Sequence, residues 1–142
     1  ATGLINGGAA CYNIYQCADS EFISLGALEP VFWNRFCETV GRTDWIELHN
    51  QPLPQHNLIK DLQKMFQQKN VSEWNVLFQN IDCCYEPVAL MSDLKHHPQI
   101  KSRAALSTDG PNYPGKINHQ NVDIDYGYVE IDKDDIPLWL TS

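Results

Sequence analysis

The sequence predicts an α+β fold, and three observations carry that prediction. Residues Cys11–Cys17 and Glu21–Leu25 are two short runs of strand formers separated by Ala18-Asp19-Ser20. Apolar residues then recur at helical spacing from Pro30, again from Leu58, and a third time from Trp74. Strands followed by helices, without strict alternation, describe a small antiparallel sheet packed on helices rather than a doubly wound parallel sheet.

Each element has its own signals. Residues 1–10 are rich in Gly and Ala, carry no periodicity and read as a linker. The two strand-like runs and their turn form a β-hairpin. Pro30 suits a first helical position, where its fixed φ fits and its missing N–H is not needed. Phe32, Trp33, Phe36, Cys37 and Val40 then make one apolar stripe, and Gly41 supplies the C-terminal stop. Residues 42–56 hold Pro52 and Pro54 and read as irregular, with Trp45, Ile46 and Leu48 as burying side chains.

A second helix carries Leu58, Ile59, Leu62, Met65 and Phe66, with Asn57 as its expected cap. A third is expected with Ser72 as N-cap, Val71 and Val76 as a hydrophobic staple, and Trp74, Leu77 and Phe78 facing inward. Ile81–Tyr85 reads as a strand stopped by Glu86-Pro87. Ser92 is the expected cap of a short helix through His96, and Pro98 starts another turn carrying Ile100, Lys101 and Arg103. Residues 107–121 are loop-like, Val122–Ile131 is weakly β-like, and Pro137 keeps any helix over Asp132–Leu140 short. The division that follows is a linker at 1–10, a small α+β domain at 11–106, and an irregular tail at 107–142 that packs on a further domain.

The composition sets limits on function. The chain has 142 residues, 18 acidic against 10 basic, for a formal charge of −8. That balance disfavours nucleic-acid or anionic-membrane surfaces, which need phosphate-neutralising basic patches. It leaves room for an anionic ligand held by a few local Lys or Arg. No apolar run approaches the roughly 18 residues of a membrane span. The five cysteines (Cys11, Cys17, Cys37, Cys83 and Cys84) are odd in number and lack Cys-x-x-Cys spacing. Reduced thiols in a cytoplasm-like compartment are therefore expected, and neither structural zinc nor another metal site is.

Most candidate chemical motifs dissolve on inspection. Dinucleotide, Walker, nucleophile-elbow and zincin signatures are absent from the sequence. His96 and His97 diverge by about 100° on a helix and suit a helix end. Lys101 and Arg103 could hold a phosphate, though solvated charge is the simpler reading. Asp132, Asp134 and Asp135 lack calcium-loop spacing. Glu29 stands out at the strand-to-helix corner. A short side chain would cap better there, while the helix dipole alone would favour an anion.

The ordered motifs are more specific than any one of them. The hairpin with its Ala-Asp turn leads into Gly26-Ala27-Leu28-Glu29-Pro30, with Phe32-Trp33 following. Ser72-Glu73-Trp74, Phe78, Asp82-x-Cys84-x-x-Pro87-Val88 and His97-Pro98-Gln99-x-Lys101-x-Arg103 come after in order. This series resembles the family III CoA-transferases (CaiB/BaiF), most of all their α-methylacyl-CoA racemase branch. Tail residues Gly115–His119, Tyr126–Tyr128 and Asp134–Ile136 match more loosely. Ser20 and Ala104 stand where the family usually has Gly, and Glu86 where a small residue is common.

The resemblance implies a small domain plus C-terminal return of a two-domain enzyme acting on acyl-CoA thioesters. The Rossmann-like domain, with its own Asp and Asp/His residues, lies outside this chain, and the whole enzyme is a homodimer. In the racemase branch the matching Glu is a catalytic acid/base, which assigns that role to Glu29. No tightly bound cofactor is implied, with the coenzyme A thioester as substrate. Two alternatives remain open: CoA transfer between carboxylic acids through an anhydride on an Asp absent from this chain, and a non-catalytic stand-alone binding module. The 142 residues alone are expected to be inactive.

Overall fold

The computed structural model describes residues 2–107, 110–112, 116–117 and 120–121. The chain divides into two compact units, Ala1–Ala89 and Leu90–Ser142. In the first unit, β1 (Tyr12–Gln16) and β2 (Phe22–Gly26) form the expected antiparallel hairpin, with Tyr12 opposite Gly26 and Gln16 opposite Phe22. A third strand, β3 (Tyr85–Pro87), lies antiparallel to β2, giving the order β1-β2-β3. Helices α1 (Pro30–Thr39), α2 (His56–Phe66) and α3 (Val71–Phe78) complete the unit, with a 3-10 turn at Thr43–Leu48 between α1 and α2. This is the small α+β architecture that the sequence predicts.

Alternation in the strands decides which side chains face the helices. Tyr15, Ile23 and Leu25 are buried, while Tyr12, Ile14 and Phe22 remain exposed on the opposite face. The buried side is continuous with a chain of stacked rings. Tyr15 lies 5.1 Å from Phe66, Phe36 lies 5.8 Å from Phe78, and Phe78 lies 4.5 Å from Tyr85. One aromatic core thereby joins the hairpin, all three helices and β3. Trp33 and Trp45 are buried beside it, with the Trp33 Nε1–H donating to the Trp45 carbonyl at 3.0 Å.

Several local expectations are corrected. Asn57 is not the cap of α2, because Gln55 takes the N-cap position and its carbonyl accepts the Ile59 N–H at 2.9 Å. Ser72 is likewise inside α3. Asn70 caps that helix, and the Glu73 carboxylate reaches back to the Asn70 N–H at 2.9 Å. The Asp19 carboxylate takes the Val71 N–H at 3.0 Å, which moves the helix start forward and ties it to the hairpin turn. The staple is consequently not made: Val71 is buried and Val76 is exposed. Leu77, expected on the inner face, is also exposed.

The third strand begins later than Ile81. Cys84 sits at φ 56°, which breaks extended backbone, and pairing starts only at Tyr85. Glu86 and Pro87 belong to the strand rather than ending it. Proline is tolerated because β3 is an edge strand in the described sheet. The lead-in residues are more integrated than a linker suggests: Ala9 and Ala10 are fully buried, and the Gly8 carbonyl accepts the Gln55 N–H at 2.9 Å.

In the second unit, a 3-10 turn at Leu94–His96 has Asp93, not Ser92, in its cap position; the Ser92 hydroxyl donates to the Asp93 carboxylate. Helix α4 (Pro98–Ser102) begins at the expected proline. Two-residue strands β4 (Lys116–Ile117) and β5 (Gln120–Asn121) pair within the stretch expected to be loop. The expectations for Val122–Ile131 and Asp132–Leu140, with the Asp132, Asp134 and Asp135 cluster, lie outside the described residues. Among the described residues no helix is long and apolar enough to cross a membrane.

Candidate active site

Glu29 occupies the corner where β2 turns into α1. Three backbone bonds hold that corner. Gly26 N–H donates to Cys84 O at 2.8 Å, Ala27 N–H to Cys11 O at 2.8 Å, and Leu28 N–H to Gly26 O at 2.9 Å. Ala27 is fully buried, whereas Glu29 emerges exposed at the N-cap position of α1. Its carbonyl accepts the N–H groups of Phe32 and Trp33, and its side chain makes no capping bond. The backbone therefore performs the capping and leaves the carboxylate uncommitted, at the helix end where the dipole favours negative charge.

Beside this corner lies a groove of about 730 Å³. Its walls include Tyr12 and Ile14 of β1, Ser24 and Gly26 of β2, Cys84 and Glu86 around β3, and Ile5 of the helical turn Leu4–Gly8; Glu29 itself is not among them. Apolar side chains dominate it, and Ile14 and Ile5 are exposed by 59% and 72%. A Cβ on Gly26 would stand 3.7 Å from that of Cys84, so the left-handed turn at Cys84 brings its side chain against the corner that carries Glu29. The Cys84 thiol has its pKa raised, first by partial desolvation and then by the charges of Asp82 and Glu29. It is a neutral wall residue of the groove at physiological pH, not an activated thiolate.

The other residues singled out by sequence fall elsewhere. Cys83 is fully buried in the core, with its thiol pushed up to about 11, chiefly by desolvation. All five cysteines are free, and no group of three or more His, Cys, Asp or Glu among the described residues could hold a metal ion. His97 takes the cap position of α4, and Lys101 and Arg103 stand at that helix's C-terminal end.

Two features escape residue-by-residue reading. The outward face of the hairpin becomes a groove wall; its signal is the apolar residue at Tyr12, Ile14 and Phe22, where a solvated strand would alternate to polar. Gln55 is the second, being the buried polar residue that clamps the lead-in to the 3-10 turn. Its Oε1 accepts the Ala10 N–H at 2.9 Å while its Nε2 lies within bonding range of the carbonyls of Leu48, His49 and Gln51.

Comparison with known proteins agrees with the ordered motifs. The family model described as CoA-transferase family III matches residues 1–134. The chain is 31% identical over 118 residues to α-methylacyl-CoA racemase of Mus musculus, covering 78% of this chain and 29% of the relative. For α-methylacyl-CoA racemase of Homo sapiens the identity is 30% over 112 residues, covering 74% and 28%. A CaiB/BaiF CoA-transferase family protein of Caenorhabditis elegans is 26% identical over 110 residues, covering 78% and 31%. The chain thus spans less than a third of the length of these relatives, and it belongs to CoA-transferase family III.

Proposed function

We propose that this chain forms part of an acyl-CoA enzyme of the racemase type, in which Glu29 exchanges a proton at C2 of a 2-methylacyl-CoA thioester. The observation that carries the reading is the uncommitted carboxylate of Glu29 at an exposed corner that backbone bonds hold and whose Gly26 lines an apolar groove. Inversion at a carbon next to a thioester needs a base on one face and an acid on the other, with stabilisation of the enolate oxygen. Glu29 supplies one of the two. The second group, the enolate-stabilising donors and most of the coenzyme A contacts belong to the Rossmann-like domain expected from the family. The groove takes the acyl chain, whose apolar surface matches Tyr12, Ile14 and Ile5.

In the whole enzyme, Glu29→Gln keeps the shape and removes the titratable proton. Exchange of the α-hydrogen with D₂O is expected to slow by about 10²–10⁴ for the epimer facing Glu29, the usual contribution of a positioned acid or base. Acyl-CoA binding should persist, and unchanged exchange would overturn the role. The relative carrying the CoA-transferase family name favours a second reading, CoA transfer between carboxylic acids through an acyl-enzyme anhydride. Hydroxylamine trapping separates the two, because only the transferase accumulates a trappable acyl-enzyme.

A further inference from the structure

We propose that Glu86 sets the charge selectivity of the groove on the outward face of the sheet: its carboxylate turns away acyl chains that carry a negative group beyond the α-carbon, and favours chains that are neutral or cation-bearing. The inference deepens the acyl-CoA reading above and rests on it for the nature of the ligand. Its basis is the register of the strands. Ile14 lies opposite Ser24, and Ser24 lies opposite Glu86, so the three form one row across the sheet. Tyr12 and Gly26 form the neighbouring row, which Cys84 completes by accepting the Gly26 N–H at 2.8 Å. Two residues along a strand separate the rows, a step of about 7 Å. Alternation fixes the direction of Glu86. Tyr85 stacks on Phe78 of the core with ring centroids 4.5 Å apart, so the next residue faces outward.

Both rows line the groove. The Gly26 row has no side chain at its centre and adjoins the corner that carries Glu29. A chain whose C2 is presented to Glu29 and that runs along the groove crosses this row first. It then passes over Ser24, with Ile14 on one side and Glu86 on the other. Among the described residues that line the groove, Glu86 is the one that carries a charge, and neither Lys nor Arg is present to neutralise it. The Ser24 hydroxyl donates at 3.2 Å to the Glu86 backbone carbonyl, not to its carboxylate. Ion pairs among the described residues join Arg35 with Asp82, Arg42 with Asp44 and Lys64 with Asp61, and leave Glu86 out. An anionic chain end therefore meets an unneutralised like charge in a wall that is otherwise largely apolar, where repulsion is damped less than in bulk water.

The test uses the whole enzyme and two thioesters of equal length, 2-methyldecanoyl-CoA bearing either a carboxylate or an ammonium group at its far end. Titration calorimetry measures binding, and deuterium incorporation measures exchange at C2, so affinity and chemistry are read apart. The wild-type enzyme should bind the ammonium-ended chain about tenfold or more tightly than the carboxylate-ended one at low salt, and added salt should shrink that ratio. Glu86→Gln should lower the ratio about tenfold, and Glu86→Lys should lower it further, in favour of the carboxylate. Glu21→Gln removes an exposed carboxylate that does not line the groove and should leave the ratio at its wild-type value. Equal affinity for the two chains in the wild type, a ratio indifferent to both Glu86 variants, or an equal change with Glu21→Gln would overturn the role of Glu86. Failure of either thioester to bind overturns it together with the acyl-CoA reading. A ratio that follows Glu86 without exchange at C2 supports the selectivity and counts against the racemase reading. Exchange at C2 with a ratio indifferent to Glu86 removes the selectivity alone.

Discussion

Ser20, Cys84 and Ala104 hold left-handed backbone at φ 66°, 56° and 48°, a region that costs a residue with a Cβ about 1–2 kcal/mol. Ser20 and Ala104 are two positions where the family usually has Gly, so the structure gives those departures a cost. Ser20→Gly and Ala104→Gly are each expected to change stability by between zero and about +1 kcal/mol, strain relief being partly offset by the freer unfolded glycine. Urea denaturation measures this, and a clear loss in either variant would contradict it. The position of Glu29 was legible because Pro30 marks a helix start from local sterics alone. The approach of Cys84 to that corner was not, since a left-handed non-glycine residue announces itself by no residue type.

Among the elements, strands and helices were legible from periodicity, whereas their ends were not. Asn57 and Ser72 are good caps by residue type, yet each helix starts earlier. Gln55 and Asn70 are fixed by partners distant in sequence or by a reciprocal carboxylate. Capping signals are local, but the competition between candidate caps is decided by tertiary bonds such as Asp19 to the Val71 N–H. β3 starts late for a related reason: Cys83 is drawn into the core, and the Arg35 guanidinium holds both the carbonyl and carboxylate of Asp82 at 3.1 Å. Gln55→Ala should cost about 1–3 kcal/mol by leaving the buried Ala10 N–H without a partner. Its amide should then exchange faster with solvent. Because Ala10 adjoins Cys11, whose carbonyl holds Ala27, the same variant tests whether the clamp reaches the corner of Glu29. Wild-type exchange at both Ala10 and Ala27 would dismiss that role.

For the molecule as a whole, the aromatic core explains why a hairpin and three helices cohere, and its buried thiols predict how stability depends on pH. Desolvation pushes Cys37 up to about 12 and Cys17 and Cys83 up to about 11, from 9.0. Above pH 9 the unfolded chain releases these protons while the folded chain retains them, so stability present below pH 9 falls progressively toward pH 12. Urea midpoints across that range should decline, and less steeply in Cys37→Ala; identical slopes would remove the thiol explanation. The family was legible from the order of its motifs, since order along the chain survives where single residues drift. The groove was not, because it needs Ile5, the hairpin face and Cys84 brought together from distant positions. The most direct test of the central claim follows deuterium incorporation and inversion separately from the 2R and 2S epimers of a 2-methylacyl-CoA in the whole enzyme carrying Glu29→Gln. The account predicts that inversion is lost in both directions, that exchange slows by about 10²–10⁴ for one epimer, and that substrate binding is retained. Wild-type exchange and inversion for both epimers would contradict it.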